Sequence, residues 1–347
     1  MAPLLLGIES SCDETAAAIV EGDRHVRSNV VATQHDLHVE YAGVVPEIAS
    51  RAHLQRIGPV IEKSLREAGA TLQDLDGIAV GHQPGLIGSL LVGVSAAKGL
   101  AWSIDRPLLA VDHVHAHLHS PALDDTPLDY PAIGLVVSGG HSSMYHLEDA
   151  MTAKVIGRTI DDAVGEAYDK AAVLLGLGWP GGPVLDELAR EGDETAVDLP
   201  ISMLDRDSLD FSYSGLKTAL LYAVRGQPIG RGGKAVFPRD SEDLTDERRR
   251  DLAASFQRAA ITSIVRKIER ALSIHPVESV IIGGGVSANS RLRRDLQALC
   301  DARGLGLRLP ALRYCTDNAA MIAGLGAVQL AAGRTADLSL SASARST

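Results

Sequence analysis

Aromatic side chains are scarce: three Phe, two Trp and seven Tyr amount to 3 % of the 347 residues, so the core must be aliphatic. Cysteine is scarcer still. Cys12, Cys300 and Cys315 are odd in number and lack any CxxC spacing, which excludes a disulfide framework and a zinc ribbon and fits a reducing cytoplasm. Positive charge is also short, with 33 Lys and Arg against 44 Asp and Glu for a net charge of −11. The whole-chain field therefore attracts neither nucleic acid nor anionic membranes, and any RNA contact must use local basic patches. Long hydrophobic runs are missing too. The opening Leu4-Leu5-Leu6 reaches Glu9 before a signal-peptide core is complete and no apolar stretch of membrane-spanning length follows, so a soluble cytoplasmic protein is expected. What the chain has in quantity is ordinary globular material, 46 % apolar and 22 % charged. At roughly 150 residues per domain the length points to two domains.

Apolar runs at 4–8 and 16–20 flank Glu9-Ser10-Ser11-Cys12-Asp13-Glu14-Thr15, the pattern of a hairpin with hydroxyls and carboxylates at its tip. In 46–68, Ile48, Leu54, Ile57, Ile61 and Leu65 recur at helical spacing; Pro46 suits a first turn and Pro59 predicts two joined segments. A buried strand at 76–80, a nearly all-apolar helix at 89–104 and a strand at 107–111 give β/α alternation. A second block repeats the opening form: a strand at 133–137, the turn Ser138-Gly139-Gly140-His141, then strands at 144–147 and 155–160. The echo is compatible with two related lobes and equally with two ordinary hairpins. Helices are expected at 163–175, 184–190, 214–224, 248–272 and 290–302, with a strand at 277–282 and a last helix over 317–333. The Gly-, Pro- and charge-rich segment 225–243 and the Ser/Ala/Arg tail after Asp337 are left outside the core.

Asp112-His113-Val114-His115-Ala116-His117-Leu118-His119 follows a strand, and in a helix His113 and His117 stand one turn apart on one face, able to grip a metal. His115 would point away, either toward solvent or to a supporting place behind the ligands. Zinc peptidases place Glu directly after the first His, but here that residue is Val114, so peptidase chemistry lacks its base. A third ligand must come from afar. Asp317, in Tyr314-Cys315-Thr316-Asp317-Asn318, lies where a strand ends and a helix begins; it is either a ligand or a helix N-cap, with Cys315 the competing ligand. Two His and one carboxylate form the open set typical of Fe(II), which zinc also accepts. Gly283-Gly284-Gly285-Val286-Ser287-Ala288-Asn289 between strand and helix reads as a mononucleotide loop, because no acidic residue ends the next strand as a dinucleotide site requires.

Together these residues resemble one family along nearly the whole chain, the tRNA threonylcarbamoyladenosine transferases of the actin, hexokinase and sugar-kinase superfamily. The resemblance rests on Gly7 through Thr15, Gly43 through Arg51, Pro84 through Gly93, Val137 through His141, Gly165 through Lys170 with Gly181-Gly182-Pro183, Phe211 through Thr218, Gly284 through Asn289 and Cys315 through Asn318. Departures are Gln83 for a usual Gly, Gly81 for Thr, Ser142-Ser143 for Thr-Gln, and the unusual His115.

The resemblance implies an α/β, two-lobed actin/hexokinase-like fold, each lobe a mixed sheet flanked by helices with the site in the cleft. Residues 1–129 would form the first lobe, with helix 317–333 packing back on it, and 130–347 the second. It implies that His113, His117 and Asp317 bind one divalent metal, Fe(II) ahead of Zn(II), and that Val136, Val137, Ser138, Gly139, Gly140, Asp169, Gly182, Asp186 and Asn289 hold the substrate. The implied reaction moves a threonylcarbamoyl group from threonylcarbamoyl-AMP to the exocyclic amine of the adenosine 3′ of the anticodon, in tRNAs reading codons that begin with A. Glu14 is the candidate for receiving the amine proton. The implied partners are tRNA, a related two-lobe subunit pairing through the first lobe, and an ATPase. Arg225, Arg231, Lys234 and Arg239 read first as a solvated surface loop and are the candidate RNA contacts the chain itself offers. A small-molecule kinase would need carboxylates holding Mg²⁺ rather than a histidine pair, and a non-catalytic scaffold would not need the three ligands.

Overall fold

The computed structural model describes residues 2–41, 43–123, 127–202, 207–230 and 236–346. β1 (Leu4–Glu9), β2 (Glu14–Glu21) and β3 (His25–Thr33) form an antiparallel meander. The sequence pattern stops at the hairpin because β3, an edge strand, carries polar His25, Arg27, Ser28 and Asn29 where alternation would be read. After α1 (His35–His38) comes α2 (Pro46–Ala68), one continuous helix instead of the two segments expected around Pro59. Pro59 is exposed, and the carbonyl of Gln55 that it leaves without an N–H also belongs to an exposed residue, so water can satisfy it. β4 (Gly77–Gln83), α3 (Ile87–Ile104), β5 (Leu108–Asp112) and α4 (His113–His119) complete this half, with β1, β4 and β5 parallel.

The second half opens with another meander, β6 (Ala132–Val137), β7 (Ser142–Leu147) and β8 (Ala153–Arg158). It continues through α5 (Val164–Leu174), α6 (Gly181–Ala189), α7 (Ser214–Arg225) and α8 (Asp246–Ile274). β9 (Ser279–Gly283), α9 (Ser290–Arg303), β10 (Gly306–Arg308) and α10 (Ala319–Ala331) close the chain's regular structure. The two sheets share one plan. The first runs β3-β2-β1-β4-β5 and the second, read from its other edge, β8-β7-β6-β9-β10. In each, a meander lies on one side of its first strand and two parallel strands on the other, so the repeated hairpin form reflects related lobes. The larger core fills the second half around Tyr168, Phe211, Phe256 and Ile264, with aliphatic residues supplying nearly all the rest.

α10 packs back on the first sheet, its Ala319, Met321 and Ala323 buried with Leu5, Ala18, Ala79 and Val111. Gly7 permits this: a Cβ there would stand 2.2 Å from the Ala319 carbonyl oxygen. The close approach brings residue 317 to the end of β1. α3 begins at Ile87, earlier than expected, and at 18 residues is long and apolar enough to cross a membrane by length and composition. Its Val94, Ala97 and Ala101 are nevertheless buried in the first-lobe core, and Leu90 is buried as well.

The tail, expected to be loose, lies along the first sheet. Ala336 bridges Leu108, Leu340 and Ala342 pack against the core, and the Ser343 N–H donates to the His82 carbonyl at 2.9 Å. In 225–243, Ile229 pairs with Val236 and Arg225 with Asp240 at 3.1 Å, so the described ends of this segment are tied together. Arg231 and Lys234 lie outside the described residues.

Candidate active site

The carboxyl ends of β1, β4 and β5 face the β6–β7 turn and the loop after β9 across a cavity of about 1120 Å³. Parallel strands place such a crevice at their carboxyl ends. α4 starts directly after β5 because the Asp112 carboxylate accepts from the Val114 and His115 N–H groups at 2.9 and 3.1 Å. The helix sets His113 and His117 one turn apart, their rings edge to face at 4.7 Å. Asp317 Oδ1 stands 3.1 Å from His117 Nε2 and 3.6 Å from His113 Nε2. His117 and His113 are buried and Asp317 half-buried.

Behind His113, Glu9 Oε2 lies 2.9 Å from Nδ1, and the other Glu9 oxygen accepts from the Ser11 N–H at 2.5 Å. The loop after β9 closes against α4 because Gly283 has no side chain; a Cβ there would stand 2.2 Å from the His117 carbonyl. Gly284, at φ +89°, packs similarly against the Val137 carbonyl.

This donor set fits a divalent cation. Two imidazole Nε2 atoms converge on one carboxylate oxygen while Glu9 occupies Nδ1 of the first ring, the arrangement that orients a metal-binding histidine. Without a cation a proton must balance the charge. Burial acts against protonated His113, but Glu9 and Asp317 override it and push its pKa up to about 10. For Asp317 burial again acts in the opposite sense, and His113 and His117 hold the carboxyl well below the usual range.

A family model for tRNA N6-adenosine threonylcarbamoyltransferase matches residues 25–324. A protein of that name from Symbiobacterium thermophilum is 49 % identical over 98 % of this chain and 95 % of its own length. The chain belongs to the tRNA N6-adenosine threonylcarbamoyltransferase family. A second relative of the same name, from Trichlorobacter lovleyi, is 47 % identical over 98 % of this chain and 96 % of its own length. Among solved structures, HypF of T. kodakarensis shares the fold with a TM-score of 0.62 at 16 % identity, over 95 % of this chain and 48 % of that one. As a member of this family the chain is an enzyme, a transferase that modifies N6 of a tRNA adenosine with a threonylcarbamoyl group.

In this transferase Asn318, not Asp317, caps α10, accepting from the Met321 N–H at 3.0 Å; the Asp317 carboxylate is thereby free for the histidines. Cys315 is excluded from the cluster, since its sulfur faces Arg293 at 3.3 Å and the Ala311 carbonyl. Of the two places expected for His115, the one in solvent is not taken. His115 is half-buried and packs edge-on against Tyr145 at 5.8 Å.

Ser138, Gly139 and Gly140 line the cleft in a turn closed by the Ser138 N–H on the His141 carbonyl at 2.8 Å. Val136 and Val137 do not reach it: both side chains are fully buried in β6, whose backbone is paired with β7 on one side and β9 on the other. Asp169 lines the cleft and accepts from the Gly181 N–H at 2.8 Å. Gly182 sits in the first turn of α6, outside the lining, and of the three consecutive glycines Gly285 alone borders the cavity.

Asp186 and Asn289 are buried behind the loop and committed to each other. Asn289 Nδ2 donates to Asp186 at 3.2 Å and to Gln257 at 2.8 Å, while its oxygen caps α9 on the Leu292 N–H at 2.9 Å. Asp186 also accepts from the Ser290 N–H and hydroxyl. Glu14 opens β2 rather than sitting on the turn, borders the cleft, and is pushed up to about 9 by burial and then by Asp317 and Asp13.

Sequence reasoning missed Glu9, although a carboxylate at the end of an apolar strand must find a buried partner. It missed His141, which borders the cleft and is pushed down to about 4 by burial and by His113 and His117. Also missed are Lys170 and Lys217, cations on the cleft wall that both hold Asp162, for which no spacing signal exists.

Proposed function

We propose that this transferase binds threonylcarbamoyl-AMP in the cleft between its sheets and passes the acyl group to the exocyclic amine of the adenosine 3′ of the anticodon. The tRNAs concerned read codons that begin with A. The observation that carries this reading is the convergence of His113, His117 and Asp317 beside the open Ser138-Gly139-Gly140 turn. The donor is a mixed anhydride and already activated, so the difficulty is to position a weak amine against it. The amine nitrogen attacks the carbamoyl carbon, the bond to the phosphate oxygen breaks, and AMP leaves.

His113, His117 and Asp317 would hold one divalent ion, Fe(II) ahead of Zn(II), which when bound supplies Lewis-acid polarisation of a donor oxygen. Glu9 fixes the tautomer and angle of His113. Gly139 and Gly140, both without side chains over the cavity, leave backbone N–H groups accessible to anionic oxygens of the donor. Asp169 would meet the polar edge of the nucleotide, while Asp186 and Asn289 act from behind by fixing the loop of Gly285. Val136 and Val137 would act indirectly, as the buried strand that carries the Ser138-Gly139-Gly140 turn, and Gly182 as part of the first turn of α6.

Cys12 is not needed as a nucleophile, and burial together with Asp13 holds its thiol protonated. Glu14, whose basicity is raised by burial and Asp317, would receive the proton that the amine releases.

Residues 1–129 with the last helix would form one lobe and the remaining residues from 130 the other, working in the cytoplasm where tRNA is available. A related two-lobe subunit and an ATPase complete the system in this reading. Support for a partner comes from α2 and α3, which touch at Ser50 and Gly88 and leave Leu54 and Leu91 67 % and 50 % exposed. The test is nucleoside analysis of tRNA incubated with donor and the reconstituted proteins. Threonylcarbamoyladenosine should appear with the native chain and vanish with His117→Ala, whose metal content should fall in parallel. Full metal content in His117→Ala would rule out this ligand set.

A further inference from the structure

Trp179 is the one Phe, Tyr or Trp side chain that lines the cleft among the described residues. It belongs to the second lobe, between α5 and α6, and the ring stacked on it belongs to the first. The His35 imidazole, on α1, lies nearly parallel to the indole, with centroids 4.8 Å apart and planes 20° apart. Among the described residues the His35 ring makes no hydrogen bond or ion pair, so the stack is what holds it. The indole is held differently. It sits in the short connection between α5 and α6, beside the Asp169 carboxylate, which accepts from the Gly181 N–H at 2.8 Å and so ties that connection to the start of α6. One partner is fixed and the other replaceable.

An aromatic face fixed in a cleft, half-buried and covered by a loosely held five-membered ring, matches a purine. Stacking on an indole needs no particular hydrogen-bonding edge, and a purine offers the imidazole's ring plus a second one. We propose that Trp179 is the stacking seat for an adenine ring and that His35 occupies this seat until the adenine displaces it. The inference rests on the reading of the cleft as the active site, where both substrates carry adenine: the nucleotide half of the donor and the acceptor base, which must leave its own stack to present N6. Because His35 comes from the opposite lobe, filling the seat also releases a contact that spans the cleft.

The experiment uses Trp102→Phe, which leaves Trp179 as the single tryptophan. Its emission is followed while titrating AMP, an anticodon stem–loop with adenosine 3′ of the anticodon, and the same stem–loop with cytidine there. Quenching by AMP assigns the seat to the donor, and quenching by the adenosine but not the cytidine stem–loop assigns it to the acceptor. The same probe, followed by calorimetry, should bind roughly tenfold more weakly to Trp179→Ala and nearly normally to Trp179→Phe. It should bind more tightly to His35→Ala, which a merely structural stack would not produce. Absence of quenching by every adenine probe, undiminished binding to Trp179→Ala, or unchanged or weaker binding to His35→Ala overturns the proposal. In that case a His117→Ala variant that still fails to modify tRNA leaves the cleft reading standing, whereas one that modifies tRNA normally removes both.

Discussion

Glu9 Oε2 stands 2.9 Å from His113 Nδ1, on the opposite edge of the imidazole from Asp317. A fully buried carboxylate in that position fixes which nitrogen carries the proton and leaves Nε2 as the ligand. Glu9→Gln should therefore lower affinity for a divalent metal by about 10- to 100-fold while the fold persists, as measured by competition with a chelator. Gly81→Ala should act in the same direction, because its Cβ would stand 2.7 Å from Glu9 Oε2. Wild-type affinity in Glu9→Gln would show that the ring is oriented by its packing alone.

Asn289 gives a separate prediction. Its oxygen caps α9, and its amide satisfies buried Asp186 and Gln257. Asn289→Ala should cost about 2 kcal/mol from the lost cap and the polar groups left without it. The denaturant midpoint should fall with metal content unchanged, and a midpoint within error of the parent would contradict the structure's account of this network.

Much of the architecture was legible in the sequence because aliphatic runs and short polar turns carry it: the β1–β2 hairpin, the β6–β7 turn and the helices from α5 to α9 stand close to their expected bounds. β3 was not legible, since an edge strand tolerates polar residues on its open side. At the site, the i, i+4 spacing of His113 and His117 is a local signal. The cradle behind them is not, because Glu9 and His113 are 104 residues apart and only the fold brings them together. The glycine loop misled in part: two of its three glycines serve close packing rather than the cavity.

Pro59 predicts a gain. It sits exposed inside an unbroken helix, where a residue with an N–H would restore one bond and relieve the ring's crowding of the preceding turn. Pro59→Ala should stabilise the chain by about 1–3 kcal/mol, seen as a higher melting temperature. No rise would mean that proline's restriction of the unfolded chain offsets the gain.

His53 carries a pH dependence outside the metal cluster. It is buried, with Nδ1 2.8 Å from the Thr15 hydroxyl and Nε2 3.0 Å from the Cys12 carbonyl. Burial lowers its pKa below 6.5; the Cys12 carbonyl, Glu9 and Asp13 oppose this and Arg56 reinforces it. The unfolded chain then takes up the proton more readily than the folded one. His53's contribution is thus present above its unfolded pKa and lost as pH falls from there through the lowered folded value. Stability should fall less steeply with acid in His53→Gln than in the parent, measured by denaturation at a series of pH values below 6.5. Parallel curves would show that His53 titrates alike in both states.

The apolar face of α2 and α3 gives the prediction that bears on assembly. Leu54 and Leu91 lie one turn on from the contact between Ser50 and Gly88, and both stand outside the core, to which these two helices contribute Val60, Ile61, Val94 and Ala97. Exposed aliphatic groups away from the core can be exchanged for charge at a cost within about 0.5 kcal/mol. At the centre of an interface, by contrast, two buried carboxylates without partners forfeit more than 1 kcal/mol each. Leu54→Asp combined with Leu91→Asp should therefore leave melting temperature and metal content at parental values, yet reduce tRNA modification by the reconstituted mixture at least roughly tenfold. The net charge of −11 opposes unaided RNA docking, so the native chain given only donor and tRNA should turn over far more slowly than the mixture. Equal rates with and without the other proteins would remove the need for a partner. A fully active double variant would instead keep the partner and move its seat to another face.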